Sequence, residues 1–308
     1  MTASGTRWFL PSGTAGRDGC DLVVDDTLPE WQHTGLRVVT LSPGETCTVD
    51  EPGWEYVVLP LAGSASVTCT GPSGDQQSAD LAGRASVFAG PTDVAYVPPG
   101  SRLTVTGTSD GSRIAICAAR ALGGGNSAPA FRHVTADEVP VELRGAGTCS
   151  REVRNFGVPA TLDAHSMIAC EVLTPAGNWS SYPPHKHDED RDGVETELEE
   201  IYYFETRVAE GAMRDGADPV GYQRVYGTAE RPIDVFAEVR TGDVVLVPHG
   251  WHAPSMAAPG YDLYYLNVMA GPGATRAWLI CDDPSHGWVR DTWAGQDVDP
   301  RLPMGGTS

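Results

Sequence analysis

The sequence predicts an all-β protein made of two small barrels in tandem. Short runs of β-branched and aromatic residues alternate with turns rich in Gly, Pro and Asp along the whole chain, and no long helical pattern separates them. One segment also recurs: residues 93–100 read DVAYVPPG and residues 243–250 read DVVLVPHG. The spacing of the runs and the repeat together favour two copies of one β-sandwich or barrel.

The predicted strands follow one another at similar spacing, each bounded by turn residues that interrupt a sheet. In the first half they are LRVVTL, YVVLPL, ASVTCT, SVFAG, VAYVPPG, RLTVTG and RIAICAA. In the second half they are SMIACEVL, EEIYYFE, GYQRVYG, DVVLVPHG and YDLYYLNVMAG.

The repeat aligns the two halves at chemically important positions. The DVAYVPPG and DVVLVPHG segments match at a shift of 150 residues, and WEYVVLPL at 54–61 matches EEIYYFET at 199–206 at a shift of 145. The second alignment pairs Glu55 with Glu200. The polar region 131–150 contains few strand signals, and we expect the two halves to join there.

Composition excludes several classes of partner. The 308 residues carry a net charge of −20, which repels nucleic acid and anionic membrane surfaces. A small anionic substrate therefore needs a local Arg or Lys in its binding site. The seven cysteines are widely spaced and form no CxxC pair, no apolar run is long enough to cross a membrane, and no secretory leader is evident. We expect reduced thiols and a cytoplasmic protein.

Two histidines, His185 and His187, stand one residue apart before an acidic run, Asp188 to Asp190. In a strand, residues i and i+2 face the same side, so the two imidazoles lie ~7 Å apart at Cα. Glu200 begins the next strand, and His252 follows the Gly turn of VPHGWH. Three imidazoles and one carboxylate form a site for Zn²⁺, Mn²⁺, Fe²⁺, Co²⁺ or Ni²⁺. The competing interpretation of the histidine pair and the acids after it is a solvated loop.

The two copies differ at this site. Arg102 stands where His252 stands in the second copy, and no HxH precedes Glu55. The sequence thus predicts an N-terminal barrel over 1–140 that lacks metal ligands, and a metal-binding barrel with a C-terminal tail over 141–308. The first copy is then left with roles in packing and in forming a homo-oligomer.

The order HxH, Glu, Gly-turn His is the metal signature of the cupin superfamily, and its occurrence beside the repeat resembles a bicupin. The motifs SYPPHKHD, LEEIYYF, QRVYG, VPHGWH and YYLNVMAGP, spread over residues 181–272, resemble the 5-deoxy-glucuronate isomerases of myo-inositol catabolism. The resemblance implies that His185, His187, Glu200 and His252 are the metal ligands. The gap between His187 and Glu200 is longer than is usual in cupins, which leaves Glu199 as an alternative ligand.

This resemblance implies an aldose-ketose isomerase that converts 5-deoxy-D-glucuronate, a small anionic sugar acid, to 5-dehydro-2-deoxy-D-gluconate. The reaction passes through an enediolate that one divalent metal ion stabilises. It involves no net redox change, so a redox-inert ion suffices, and Zn²⁺ or Mn²⁺ is favoured over Fe²⁺, Co²⁺ or Ni²⁺.

Four further residues are candidates for catalysis or substrate binding. Strand parity turns Tyr202 to the same side as Glu200, and Tyr265 shares a face with Asn267. In GYQRVYG, either Gln223 and Val225 or Arg224 and Tyr226 face inward. Arg224 is the candidate for the substrate carboxylate because its guanidinium can bind two oxygens at once. Lys186 is the weaker candidate, and each tyrosine is equally compatible with a packing role in the barrel wall.

Two other functions share the same fold and ligands: a cupin Fe²⁺ dioxygenase acting on a small organic substrate, and a sugar-binding cupin without catalysis. The Trp-rich segment RAWLICDDPSHGWVRDTW is compatible with a cover over the barrel or with an interface.

Overall fold

The computed structural model describes residues 7–121, 129–212 and 214–305. Strands dominate both halves. The first half contains β1 Phe9–Leu10, β2 Leu22–Val24, β3 Thr34–Leu41, β4 Thr46–Val49, β5 Trp54–Thr70, β6 Gln76–Arg84, β7 Val94–Val97, β8 Arg102–Gly107, β9 Ser112–Arg120 and β10 Arg132–Val134.

The second half contains β11 Val141–Arg144, β12 Arg151–Gly157, β13 Ile168–Thr174, β14 Trp179–Ser180, β15 His185–Lys186, β16 Glu199–Val208, β17 Gly221–Tyr226, β18 Asp234–Val239, β19 Val244–Val247, β20 Trp251–Ala257, β21 Tyr261–Ala270 and β22 Cys281–Asp282. The helices described are short 3₁₀ turns at Val87–Ala89, Ala136–Glu138, Gly147–Cys149 and Gly287–Trp293. None of the helices in the described part of the chain has the length and apolar character that crossing a membrane requires.

Two predicted strands of the first half form one element, and a third is not a strand. YVVLPL and ASVTCT belong to the single 17-residue strand β5, which pairs with β9 before Gly63 and with β6 and β8 after it. Gly63 has a φ of 76°, and the register of β6 shifts beside it, so this residue bends β5 from one sheet into another. The predicted strand SVFAG is wrong: Val87–Ala89 is a 3₁₀ turn, and the side chain of Ser86 caps it by accepting a hydrogen bond from the backbone N–H of Phe88.

The second half consists of two sheets. A seven-stranded sheet has the order β1-β19-β16-β21-β13-β12-β11, and a six-stranded sheet has the order β18-β17-β20-β15-β22 with β14 beside β20. Strands β2 to β10 pair with strands of the first half, and β11 to β22 pair with strands of the second. The exception is β1, which comes from the first half and pairs with β19 of the second. The division of the chain at residue 140 remains a prediction. It coincides with the boundary between the two sets of sheets, apart from β1.

The halves pack against each other through alternate residues of their central strands. In β5, Tyr56 and Val58 belong to the apolar interior of the first barrel, whereas Val57 and Leu59 belong to the core shared with the second half. Both faces of the strand are therefore buried, which explains why it appears in the sequence as an unbroken apolar run.

Strand register corrects the alignment of the halves by one residue. Tyr56 pairs with Val97 on β7, and Glu200 pairs with Val247 on β19. Since Val97 and Val247 are equivalent in the repeat, Tyr56 is the counterpart of Glu200, and Glu55 is the counterpart of Glu199. One residue of register exchanges the two faces of a strand. The first barrel thus has a phenol where the second has a carboxylate, and Arg102 lies exposed beside Asp50.

Candidate metal centre

The predicted histidines converge because the six-stranded sheet brings two short strands together. His185 on β15 pairs directly with His252 on β20, so their rings lie side by side with centroids 4.6 Å apart. His187 follows β15, and its ring is also 4.6 Å from that of His252. One ligand atom from each of the three histidines lies within 4.8 Å of the others, and all three residues are buried.

Glu200 approaches the same point from the opposite sheet. Its Oε2 lies 3.1 Å from Nε2 of His187 and 3.1 Å from Nε2 of His252. The site is therefore built between the two sheets of the second barrel, with three imidazoles from one sheet and a carboxylate from the other. Residues 187 and 200 are joined by a loop, so the long gap between them in the sequence does not keep His187 and Glu200 apart in the structure.

Each histidine has its Nδ1 next to a backbone carbonyl. The carbonyl oxygens of Pro183, Leu198 and Gly250 lie 3.3, 3.2 and 3.1 Å from Nδ1 of His185, His187 and His252, respectively. These contacts favour the tautomer with hydrogen on Nδ1, which leaves the Nε2 lone pair of each ring for a cation.

The charges of the cluster suit a divalent cation. Burial opposes ionisation of Glu200, but hydrogen bonds with His187 and His252 outweigh it and lower the pKa of its carboxyl to about 2. Burial lowers the pKa of His185 well below its usual value, and the two neighbouring imidazoles lower it further. Nε2 of His187 and Nε2 of His252 each lie 3.1 Å from Oε2 of Glu200, so the possible ligand atoms already converge on one point. An anionic carboxylate beside three imidazole nitrogens fits a metal ion.

Glu199, the alternative ligand, points away from this cluster. Its carboxylate accepts hydrogen bonds from the backbone N–H groups of Gln32, His33 and Thr34 in the first half of the chain. Because neighbouring residues of a strand face opposite sides, Glu199 contacts the first barrel while Glu200 faces the interior of the second.

A cavity of about 450 Å³ extends from the metal cluster through the second barrel. His185 and Glu200 lie on its wall, as do three of the four other predicted residues: Tyr202, Tyr265 and Asn267. The hydroxyl of Tyr265 donates to Oγ of Ser180 at 3.0 Å and lies 2.7 Å from Oγ of Ser181. The amide nitrogen of Asn267 is buried and has no hydrogen-bond partner among the described residues.

Arg224 does not reach the cavity, which corrects the prediction for this residue. On β17, Gln223 and Val225 are fully buried, whereas Arg224 lies on the outer face and pairs with Asp234. Gln223 is held inside by a hydrogen bond from Ser255. Lys186 is also absent from the cavity wall, because its ammonium lies 2.6 Å from Asp188 and 2.8 Å from Glu195.

Asp188 is the clearest residue that the sequence did not identify. The solvated loop expected around it is wrong at this position: Asp188 is only 8% exposed. Its carboxylate accepts hydrogen bonds from Lys186, from Arg231 and from the backbone N–H of Gly250. These contacts join the segment that carries His185 and His187 to the turn before His252. Its position directly after His187 in HKHD indicates a residue near the metal cluster. The acidic residues that follow, Glu189 and Asp190, made the whole run resemble a solvated loop.

The Trp-rich C-terminal segment contributes to the same cavity. Trp278, Ile280, Arg290 and Trp293 lie on its wall, and β22 pairs with β15 beside His185. This packing favours the first of the two roles considered for the segment, a cover over the barrel.

Comparison with known proteins extends these observations to the whole chain. A model of the KduI/IolB family matches residues 8–289. A protein of Geobacillus kaustophilus strain HTA426 named 5-deoxy-glucuronate isomerase is 38% identical over 288 residues, which are 93% of this chain and 96% of that protein.

Two solved structures share the fold. The crystal structure of an IolB-like protein from Salmonella typhimurium LT2 has a TM-score of 0.78 and 32% identity, covering 92% of this chain and 98% of that one. The oxalate decarboxylase of Lactobacillus farciminis has a TM-score of 0.58 at 12% identity, covering 84% of this chain and 82% of that one, and so supports the fold alone. The predicted all-β bicupin architecture is confirmed, and the chain belongs to the KduI/IolB family, as the motifs between residues 181 and 272 predict.

Proposed function

We propose that this protein is a 5-deoxy-glucuronate isomerase, an aldose-ketose isomerase that converts 5-deoxy-D-glucuronate to 5-dehydro-2-deoxy-D-gluconate. The observation that carries the proposal is the family match over residues 8–289, which includes both barrels and the whole metal centre. Two relatives that are 37% and 38% identical to this chain over 288 residues are named for the same activity.

His185, His187, Glu200 and His252 are the residues that hold one divalent metal ion in this proposal. Such an ion supplies Lewis-acid stabilisation for negative charge that develops on a substrate oxygen. The isomerisation transfers a proton between neighbouring carbons without net oxidation, so Zn²⁺ or Mn²⁺ serves as well as a redox-active ion. The four side chains bind all of these ions and do not select among them.

The cavity wall supplies groups that orient a sugar acid. The unpartnered amide nitrogen of Asn267 is a hydrogen-bond donor for a substrate oxygen. Tyr202 is the cross-strand partner of Asn267, and its ring centroid is 6.1 Å from that of His252. Both side chains sit on rigid strands of the seven-stranded sheet, which fixes where a bound sugar can place its hydroxyl groups.

Tyr265 acts as a proton donor rather than as a base in this proposal. Burial raises the pKa of its phenol to about 12, although Ser180 and Ser181 oppose this shift. The phenol therefore keeps its proton at neutral pH. Together with Ser181, which also lies on the cavity wall, it can hold or pass a proton beside the substrate.

The cavity has the dimensions of a small-molecule site. Its volume of about 450 Å³ accommodates a six-carbon acid, and the C-terminal segment with Trp278 and Trp293 limits the entry of water. In the same proposal the first barrel, without a metal cluster among its described residues, serves packing and a homo-oligomer, and the protein acts in the cytoplasm.

The test is a proton NMR assay under anaerobic conditions in D₂O with 5-deoxy-glucuronate. Metal-loaded protein is compared with EDTA-treated protein and with His252→Ala. Conversion to the ketose by the loaded sample alone is the expected result. Deuterium in the product reports whether the transferred proton exchanges with solvent.

The same assay separates the alternatives. A dioxygenase is inactive without oxygen, and a sugar-binding protein gives substrate-induced shifts without conversion. Absence of conversion by fully loaded protein would overturn the isomerase proposal for this substrate. Conversion that survives both EDTA and His252→Ala would overturn the metal centre's role while leaving the activity.

A further inference from the structure

Arg151 is a buried cation that forms no ion pair with a described carboxylate; the acid that interacts with its charge, Glu142, pairs with Arg144 instead. Arg151 is 8% exposed, and no carboxylate in the described parts of the chain lies within ion-pair distance of it. Other buried arginines in the structure are paired: Arg84 with Glu171 and Arg154 with Glu152. An unpaired buried charge is costly, so its retention on a cavity wall points to an anion that enters the cavity.

The surroundings of Arg151 hold its guanidinium in place. Nη1 donates to the carbonyl of Cys149 at 3.1 Å, and the guanidinium carbon lies 5.8 Å from the ring centroid of Trp293. Gly145 has a φ of 77°, and a Cβ there would approach Nη1 of Arg151 to 2.8 Å. The lack of a side chain at Gly145 therefore leaves room for the guanidinium. Arg151 and Gly145 both lie on the cavity wall.

Two more arginines make this end of the cavity positive. Arg144 pairs with Arg151 across β11 and β12, and Arg290 comes from the C-terminal segment. Each of these has its own acid, since Arg144 contacts Glu142 and Arg290 contacts Asp282. Burial lowers the pKa of Arg151, and the charges of Arg144 and Arg290 add to this effect. In a chain of net charge −20, this is a local field that attracts an anion.

We propose that Arg151 binds the carboxylate of the sugar-acid substrate and thereby selects acids over neutral sugars. The inference rests on the proposed isomerase function and deepens it. It assigns to Arg151 the role that the sequence had suggested for Arg224. A guanidinium presents two parallel N–H donors that match the two oxygens of a carboxylate.

The placement of Arg151 relative to the metal centre supports this role. Arg151 lies on β12 and Glu200 on β16, with β13 and β21 between them in the sheet. Both side chains reach into the one cavity, and Tyr202 and Tyr265 lie on its wall as well. In 5-deoxy-glucuronate the aldehyde and the carboxylate stand at opposite ends of a six-carbon chain. A substrate whose aldehyde end lies at the metal ligands therefore extends its carboxylate toward Arg151.

The test compares two substrates with three proteins. The substrates are 5-deoxy-glucuronate and its neutral analogue 5-deoxy-glucose, in which a hydroxymethyl group replaces the carboxylate. The proteins are the wild type, Arg151→Gln and the matched control Arg224→Gln, each in metal-loaded form with measured metal content. The expected result is that Arg151→Gln raises KM for the acid roughly 100-fold, with a smaller change in kcat, and leaves the neutral analogue unaffected. Arg224→Gln leaves both substrates unchanged.

Arg151→Lys provides a second variant, because it keeps the charge and most of the aliphatic stem. It is expected to recover part of the affinity for the acid. The wild-type protein also tests the proposal without any substitution. Equal values of kcat/KM for the acid and the neutral analogue would overturn the proposal. An unchanged KM for the acid in a folded Arg151→Gln protein would overturn it too. Failure of the wild type to isomerise the acid at all instead overturns the proposed function.

Discussion

Glu55 and Glu199 occupy equivalent positions in the two barrels, and each binds three consecutive backbone N–H groups of the other half. Glu55 accepts from residues 165–167 at 2.6 to 2.7 Å, and Glu199 accepts from residues 32–34 at 2.6 to 3.1 Å. The two halves are thus joined by a pair of reciprocal, buried carboxylate contacts. The same strand that directs Glu199 into this interface directs Glu200 into the metal centre.

We expect Glu199→Gln to destabilise the protein. An amide offers one oxygen where the carboxylate offers two, and its NH₂ group faces backbone donors. The expected loss is about 2 kcal/mol in the free energy of unfolding, because buried groups lose charge-assisted hydrogen bonds. Urea unfolding measures this value, with the exposed Glu210→Gln as a control. Equal midpoints for Glu199→Gln and Glu210→Gln would contradict the interface role.

Asp188→Asn is expected to weaken metal binding although Asp188 is not a ligand. The loss of its charge weakens the contacts with Lys186 and Arg231 and loosens the turn at Gly250 that positions His252. Residues that orient metal ligands typically contribute 10- to 100-fold in affinity, and we expect a decrease of about that size. Competition with a chromogenic chelator measures it. The neighbouring Glu189→Gln, at an exposed position, serves as the control and should bind metal as the wild type does.

Removal of the metal should lower thermal stability, because the ligands come from both sheets of the second barrel and are assembled only in the folded chain. A ligand at 100 times its dissociation constant stabilises the native state by about 2.7 kcal/mol. Calorimetry with and without EDTA measures the change in Tm. The Tm of His187→Ala should change little on addition of EDTA. A wild-type Tm that is the same with and without EDTA would argue against a bound ion.

Tyr265→Phe is expected to reduce kcat by roughly 100-fold with little change in KM, since it removes a proton donor but retains the ring. The pKa of about 12 sets the sign of the pH dependence. The protonated phenol is the active form, and it is lost only as pH rises through that value. The wild-type rate should therefore show no alkaline decline from this residue below about pH 11. Stopped-time NMR assays across pH measure this, and equal kcat for both proteins would remove Tyr265 from the mechanism.

Strand periodicity allowed the sequence to identify much of the site. Alternation predicts that His185 and His187 share a face, whereas Glu200 and His252 join the predicted centre through their places beside predicted strands and through the family resemblance; the pairing of β15 with β20 brings His185 to His252. Strand parity also predicts that Tyr202 faces the same side as Glu200, and Tyr202 lies on the cavity wall; Tyr265 lies there too, although parity predicts only that it shares a face with Asn267. The predictions from parity depend only on local backbone geometry, which a short stretch of sequence specifies.

The sequence could not resolve quantities that depend on register between distant strands. Gln223 and Arg224 were equally compatible with an inward position, and burial of Gln223 against Ser255 decided between them. The pairing of Glu55 with Glu200 was off by one residue, which a ladder of hydrogen bonds reveals and a gapless alignment does not.

By itself, then, the sequence determined the all-β class, the tandem repeat, the histidines that cluster as a candidate metal site, and the family. Only the tertiary structure decided which arginine on the cavity wall is left without an acid, since Arg151 lies on β12, outside the motifs of residues 181–272. The same holds for Asp188, whose partners Arg231 and Gly250 are distant in sequence. Charge recognition depends on which groups are left unpaired after folding, and that property belongs to the packed chain rather than to any segment of it.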